Sequence, residues 1–414
     1  MTQGPDPAKR LLDVAEARSL MLAGIKILGS EQVPLEAALG RILAHPVIAA
    51  RDQPPFAASA MDGYAVRSAD TPGLLTVIGE SAAGHGFAGP CKAGTAVRIS
   101  TGAALPEGAD SIVIQEDVRH DGDRIQVPQV AAGHFIRRRG IDFTAGAGLL
   151  DKGCVLDGVG ISLAAASGAA ALPVARRPRV AILSSGDELA APGEAPGPWQ
   201  IFDSATYGLA GLIASWGGDA KRLAVAKDDV AAIAQAAEEA LANSDLLLLV
   251  GGASVGDHDH ARPALLRLGL EMKVGKVAVR PGKPTWFGIT QHGPVLGLPG
   301  NPASAMVCAH LFLKPLLLAM QGRRSEPRFL RAHLAKALPA NGAREHYLRS
   351  ALKPDDQGRL TVRAFEDQDS ALISIFAAAN ALIRLAPDAP AQNEGALMDV
   401  LPLFDVLLMG ERPC

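Results

Sequence analysis

A chain of 414 residues is too long for one ordinary hydrophobic core, so several domains are expected. Its 40 Lys and Arg face 43 Asp and Glu, a formal charge of −3, which offers no general attraction for nucleic acid or an anionic membrane. Met1 to Arg10 lack the basic-then-apolar pattern of a secretory signal, and no apolar run approaches the roughly 20 residues of a membrane helix, so a cytoplasmic protein without a bilayer span is expected.

In chain order, Leu11, Leu12, Ala15, Leu20, Met21, Ile25 and Leu28 recur at helical spacing, which predicts helix between Asp6 and about Ala44. From about Val47 to Ile141 the grammar changes to short β-like runs, Leu74 to Ile78, Ala96 to Ile99 and Ser111 to Gln115, divided by Gly, Pro and Asp-Gly turns. An Ala-rich helical stretch, Gly158 to Ala171, follows. Packed with the first helices it would make 1–46 and 142–177 one helical domain and 47–141 an inserted β domain. From Arg179 strands and helices alternate: Val180 to Leu183 as strand, Ser204 to Trp216 as helix, Arg222 to Ala226 as strand, Val230 to Ala242 as helix, Leu246 to Val250 as strand. Asn301 and Pro302 have the chemistry of an N-cap and a first helical residue for a helix reaching about Met320. The stretch 178–324 is thus expected to be a doubly wound α/β domain. The remainder, 325–414, has runs at Leu360 to Phe365, Ala381 to Leu385 and Met398 to Leu403, suited to a small β-barrel or sandwich. Cys91, Cys154, Cys308 and Cys414 are scattered without paired spacing and are expected to be reduced thiols.

In an open parallel sheet ligands bind beyond the carboxyl ends of the strands, so the loops there carry the chemistry. Ser184-Ser185-Gly186-Asp187-Glu188 places hydroxyls, a glycine and two carboxylates after the first strand. Gly251-Gly252-Ala253-Ser254-Val255-Gly256-Asp257-His258-Asp259 follows the third, with glycines that let backbone N–H groups approach a phosphate. A phosphate-bearing substrate and a Mg²⁺ ion held by Glu188 and Asp259 would account for both loops, since Mg²⁺ needs only one or two protein carboxylates. Of Asp228 and Asp229, one is expected to cap the following helix and Asp228 to serve the site. Arg280-Pro281-Gly282-Lys283-Pro284 holds two cations on a stiff loop suited to an oxyanion, and Leu298-Pro299-Gly300-Asn301-Pro302-Ala303-Ser304 leads into a helix whose free N–H groups favour an anion. By local chemistry alone Asp62-Gly63 is a turn. His258 and His260 flank Asp259 but lack a third nitrogen or sulfur ligand nearby in sequence, so zinc is not expected.

These residues resemble the molybdopterin molybdenumtransferases, the family of bacterial MoeA and the E domain of gephyrin, over nearly the whole chain. The motifs are Ser59 to Ala65, Thr101-Gly102-Ala103, Ser185 to Leu189, Gly251 to Asp257, Pro281 to Pro284 and Gly297 to Pro302. The resemblance implies a transferase of molybdenum cofactor biosynthesis: an elongated, four-domain homodimer with a MogA-like α/β domain, its site shared between that domain of one subunit and the β insertion of the other. It implies that adenylylated molybdopterin binds with Mg²⁺, that molybdate is inserted at its two sulfurs, and that AMP leaves. Partners would then be small-molecule substrates, a second copy and the adenylyltransferase of the preceding step, with no nucleic acid and no membrane. Carried over by position, the catalytic acidic set is Asp62, Asp142, Glu188, Asp228 and Asp259. Substrate-binding residues are Thr101, Ser185, Gly186, Asp187, Gly251, Gly252, Ser254, Gly256, Asp257, Arg280, Lys283, Pro299, Asn301, Pro302, Arg349 and Ser370.

The chain departs from the family pattern at Ala57-Ala58, Ile141 and Ala205, where polar residues are usual, and at Arg280, where a lysine is usual. Arginine keeps the charge and changes its geometry. The competing readings are an adenylyltransferase, which would lack the β insertion and C-terminal domain, a binding scaffold, which nothing in the sequence singles out, and a paralogue that the departures above have turned toward another oxyanion, such as tungstate, or made inactive.

Overall fold

The computed structural model describes residues 10–226, 229–251, 260–323 and 326–403. The chain divides into two compact units. One gathers the segment up to Glu31, Gly40–Ala44 and the chain from Pro173 onward, and the other gathers Gln32–Leu39 and His45–Leu172.

The first unit is built on a six-stranded sheet in the order Asp219–Arg222, Arg179–Ser184, Leu246–Val250, Pro294–Leu298, Trp286–Ile289, Glu271–Val274. The first four strands are parallel, and Trp286–Ile289 runs antiparallel to both of its neighbours. Alternate side chains serve opposite faces, as the pleat requires. Val180, Ile182, Leu246, Leu248 and Leu296 pack with Leu209 and Ile213 of the Ala205–Ser215 helix and with the helical run from Pro302 to Met320. Ala181, Leu183, Leu247, Leu249 and Val295 pack with Ile233, Ala237 and Leu241 of the Val230–Leu241 helix. Helices on both faces make this the doubly wound sheet that the alternating pattern predicts. Pro302–Met320 is apolar and long enough to cross a bilayer, but most of its residues are buried inside this core.

Five strands near the C-terminus, Leu330–Leu334, Glu345–Pro354, Leu360–Ala364, Ala381–Leu385 and Leu397–Pro402, close into a barrel because Glu345–Pro354 pairs with both Leu360–Ala364 and Ala381–Leu385. Ala332, Leu334, Leu348, Val362, Ile383 and Val400 fill it. Val279–Arg280 adds alongside in parallel, setting Arg280 opposite His346.

In the second unit six strands run in the order Ser111–Ile114, Gly63–Val66, Thr95–Ile99, Gly73–Ser81, Arg124–Val127, Arg119–Asp121. Tyr64, Val66, Leu75, Val113 and Ile125 form one core, and Ala65, Val97, Ile99 and Ile112 another on the opposite face.

The expected helical N-terminal domain is not what the chain forms. Its expected segments contain only two α-helices among the described residues, Val14–Ala23 and Gly158–Ala166, and these belong to different units. Asp13 caps the first, its carboxylate accepting from the Glu16 N–H at 2.7 Å. The helix stops at Gly24, where even a methyl group would lie 2.8 Å from Ile289 Cδ1, and Ser30–Pro34 is already a strand. Ile25 and Leu28 still pack on the main core, but from an irregular segment in which the Leu28 N–H donates to the Met320 carbonyl at 2.7 Å. Of the residues picked by apolar spacing, Leu12 and Met21 are buried and Leu20, Ile25 and Leu28 partly so, whereas Leu11 and Ala15 are exposed and the buried Val14 and Ala17 were not among them. The second helix ends before Gly168, whose φ is +94°, and Ala171–Ala175 is a strand. Of the cysteines, Cys91 and Cys308 are free and buried, and Cys414 lies outside the described residues.

Candidate functional site

The order of the parallel strands reverses between Arg179–Ser184 and Leu246–Val250, and the crevice at such a point is where doubly wound sheets bind ligands. Three strand ends crowd together there. A Cβ on Gly251 would lie 3.1 Å from the Ser185 carbonyl oxygen, and one on Gly300 would lie 3.4 Å from Gly251 Cα. Gly251 has φ +85°, so its glycine is needed both for the turn and for the closeness of the backbones. Gly186, at φ +148°, leaves the space over which Glu188 folds: a Cβ there would sit 2.4 Å from Glu188 Oε2. Asp187 and Glu188 are exposed and Ser185 is nearly buried, while the Ser184 hydroxyl is buried with no hydrogen-bond partner among the described residues. The turn is fixed from outside, because the Asp187 carbonyl accepts from Gln200 Nε2 at 3.0 Å and the Glu188 carbonyl from the Ile201 N–H at 2.8 Å.

Gly252, Ser254, Gly256, Asp257, His258 and Asp259 of the glycine-rich loop, and Asp228, lie outside the described residues. Asp229 is the cap of the pair, its Oδ1 accepting from the N–H groups of Ala231 and Ala232, both at 2.9 Å. No group of three or more His, Cys, Asp or Glu that could hold a metal occurs among the described residues.

Beside the strand ends lies a cavity of about 380 Å³. It joins Arg280, Lys283, Pro299, Asn301 and Ser370, five residues expected from the sequence, to Ser304, Arg344, Gln368 and Asp369, which were not. Among the described residues neither Arg280 nor Lys283 has a carboxylate within 4 Å, so their charge is left for a ligand. Packing holds the Arg280–Pro284 loop. At Gly282, φ +118°, a Cβ would meet Cys308 Sγ at 2.1 Å, and the Thr285 hydroxyl donates back to the Gly282 carbonyl at 2.8 Å. Burial pushes the Cys308 thiol up to about 12, so it serves as packing and not as a nucleophile.

Asn301 occupies the expected N-cap position but its side chain makes no capping bond. Its Nδ2 instead donates to Ser370 Oγ at 2.9 Å, joining two walls of the cavity across 69 residues of chain. Pro302 is the first helical residue behind it. Arg349 is fully buried and does not line the cavity. It supports the opposite wall, with Nε donating to Gln368 Oε1 at 3.1 Å and Nη1 to the Asp369 carbonyl at 2.7 Å, while Nη2 is without a partner. Burial lowers the Arg349 pKa, against the opposing pull of Asp367 and Asp369. His346, beside Arg280, is pushed down to about 4, first by burial and then by the charges of Arg280, Arg349 and Arg344, and is therefore neutral at neutral pH. Ser304 could have been found as the third residue beyond Asn301 in the first turn of the helix. Arg344 had no sequence signal, since its position depends on barrel pairing.

In the second unit the structure brings Asp62 and Thr101 together: the Thr101 N–H donates to Asp62 Oδ1 at 2.6 Å, and this bond, then the Thr101 side chain, holds the exposed carboxyl below the usual aspartate range. Asp142 is exposed too, anchored by its N–H to the Gln53 carbonyl at 3.0 Å.

Three family models match the chain in order: the MoeA N-terminal region (domain I and II) over residues 12–168, a probable molybdopterin binding domain over 181–319, and the MoeA C-terminal region (domain IV) over 331–403. A molybdopterin molybdenumtransferase of a Nostoc species is 38% identical over 336 residues, 78% of this chain and 77% of that protein. One from Haemophilus influenzae is 32% identical over 404 residues, 96% of this chain and 100% of that one. A crystal structure of the molybdopterin biosynthesis MoeA protein from Pyrococcus horikoshii superposes with a TM-score of 0.85 at 31% identity, covering 95% of this chain and all of that one. With identity at this level sustained over most of both sequences, the chain belongs to the molybdopterin molybdenumtransferase (MoeA) family.

Proposed function

We propose that this protein transfers molybdenum from molybdate to the two sulfurs of adenylylated molybdopterin, releasing AMP and completing the molybdenum cofactor. The observation that carries this reading is the cavity that sets Arg280 and Lys283, without a carboxylate partner among the described residues, beside Pro299 and Asn301, which flank the strand-end Gly300. Molybdate and a pyrophosphate-linked dithiolate repel each other, and fixed cations offset that repulsion without reorganising during reaction. Lys283 supplies a point charge and Arg280 a planar fork of donors, so the two hold an oxyanion in a defined orientation. Asn301 and Ser370, bonded to each other, leave a second amide N–H and a hydroxyl proton as donors beside it.

The strand-end turn fits a hard cation: Glu188 is an exposed carboxylate over a glycine and the buried Ser184 hydroxyl lacks a partner among the described residues. Mg²⁺, held by Glu188 and Asp259, would supply charge for the phosphate oxygens. Asp62, Asp142 and Asp228 complete the proposed acidic set, Thr101 joins them, and Ser185, Gly186, Asp187, Gly252, Ser254, Gly256 and Asp257 are proposed to hold the nucleotide. Arg349 is reassigned from substrate contact to support of the Gln368–Asp369 wall, on the ground of its complete burial. The active species is proposed to be a cytoplasmic homodimer supplied by the adenylyltransferase of the preceding step.

The test is reconstitution. Purified protein given adenylylated molybdopterin, Mg²⁺ and molybdate is expected to release AMP and yield cofactor that activates an apo-molybdoenzyme, and Glu188→Ala to lose both. AMP release without activating cofactor, or equal turnover by the variant, overturns the reading.

A further inference from the structure

A second cavity, of about 720 Å³, lies on the far side of the first one's wall and shares Arg280, Gln368 and Asp369 with it. Its size is that of a small-molecule site, roughly 300–1,000 Å³, and nothing in the activity above uses it. We propose that this cavity takes the pterin ring of the substrate, with Asp367 receiving the amino and ring N–H donors of its 2-amino-4-oxopyrimidine edge.

Two observations carry the assignment, which rests on the activity proposed above. The first is the order of groups along the substrate. In adenylylated molybdopterin the two sulfurs lie between the phosphate-linked nucleotide and the pterin. The first cavity is walled by Pro299 and Asn301 on the side of the sheet and by Gln368 and Asp369 on the other. With the nucleotide at the strand ends and the sulfurs reaching the oxyanion between those walls, the pterin comes to lie beyond Gln368 and Asp369, where the second cavity opens.

The second observation is the chemistry of the lining. Leu338, Leu348, Phe365 and Leu385 supply apolar wall for a flat ring. Apart from Arg280, which lines both cavities, the polar edge is left with acceptors. Asp367 Oδ1 takes the Asp369 N–H at 2.9 Å, and its second oxygen has no partner among the described residues. Asn341 spends its Nδ2 on the Arg344 and Ala386 carbonyls at 2.8 and 2.7 Å, leaving its carbonyl oxygen. Lys336 is tied to Glu366 at 3.0 Å, and Gln368 is consumed by the Arg349 backbone and side chain. A carboxylate and an amide oxygen facing apolar walls suit a neutral heteroaromatic edge rich in N–H donors, and would repel the phosphates and oxyanion that the first cavity suits.

The probe is 6-hydroxymethylpterin, whose own fluorescence reports binding, titrated into the full-length protein, with molybdate and AMP binding followed separately by calorimetry. Saturable pterin binding is expected. Asp367→Asn, which keeps an acceptor for the Asp369 N–H, should weaken it at least about tenfold through loss of one charge-assisted contact. Ala340→Trp, an exposed lining position, should block it. Molybdate affinity should stay within about twofold in both variants, which also shows that they are folded. Pterin binding that neither variant alters, or no pterin binding by a protein that still binds molybdate, overturns this assignment and leaves the proposed activity standing. Pterin binding with the expected variant pattern but no binding of molybdate or AMP supports the cavity and overturns the activity. Binding of none of the three overturns both.

Discussion

Two loops face each other across the first cavity and are held by opposite means. Arg280–Pro284 is positioned by tight backbone packing, with Gly282 pressed against Cys308, and its charged side chains remain exposed. The Phe365–Ser370 loop is positioned by a charged side chain, the buried Arg349, whose guanidinium binds Gln368 and the Asp369 carbonyl. Two arginines of one chain thus do different work: Arg280 is free to meet an anion because glycine carries the structural duty, while Arg349 carries that duty and is unavailable to substrate. A cation in a site region is therefore not informative until its burial and partners are known.

That contrast can be broken most forcefully at Gly282. Alanine there must place a methyl group 2.1 Å from the sulfur of a fully buried cysteine and adopt φ +118°. Overpacking and left-handed strain together should cost about 2–4 kcal/mol. Urea unfolding should show a clearly lowered midpoint with the slope unchanged, and an unchanged midpoint would mean that packing does not hold this loop.

Arg349→Met is the matching change on the other wall. It removes two charge-assisted hydrogen bonds, but also the unpartnered Nη2, whose burial is itself unfavourable, so the net loss should be about 1–2 kcal/mol. Because Arg349 acts through the loop, the KM for molybdate should rise more than kcat falls. An equal loss in kcat with KM unchanged would instead place its guanidinium on the reacting groups.

Lys283→Ala should leave stability within about 0.5 kcal/mol, since the side chain is exposed and has no ion-pair partner among the described residues. Molybdate affinity should nevertheless fall about tenfold, roughly 1.4 kcal/mol, with a weaker salt dependence. Calorimetry at two ionic strengths decides it, and undiminished affinity would remove Lys283 from the oxyanion site.

The same division explains what could be read from the sequence. Leu246–Val250 was legible because a strand buried on both faces must be apolar throughout, and Val230–Leu241 because its stripe recurs at helical spacing. The second strand was expected at Arg222 to Ala226 and lies at Asp219–Arg222. As an edge strand of alternately exposed residues it has no apolar run to announce it. The helix expected to reach Ala44 ends at Gly24, and Ile25 and Leu28 pack partly buried on the core from an irregular segment. In the site, Arg280, Lys283, Pro299 and Asn301 were legible because local stiffness and capping chemistry mark them. The burial of Arg349 was not, since it follows from barrel closure, in which every residue from Glu345 to Ser350 is inward or covered. The Asn301–Ser370 bond was hidden for the same reason, its partners being brought together only by tertiary folding.

The smallest expected effect lies in the second unit, where Asp62 repeats the exposed half of the contrast with the charge reversed. Its carboxylate is held by the Thr101 N–H and then by the Thr101 side chain, which lower its pKa when folded. A carboxyl with a depressed folded pKa contributes stability above its unfolded value, about 3.9, and loses it as pH falls through the lower folded value. Asp62→Asn should therefore leave stability at neutral pH nearly unchanged and flatten its decline only below about pH 4. Full exposure keeps the stability effect small, while the proposed catalytic role predicts a large loss of AMP release from the same substitution. Urea midpoints across the acid range, set beside turnover at neutral pH, separate the two. A variant that keeps full turnover while losing the acid-limb dependence would confine Asp62 to the turn that its local chemistry first suggested.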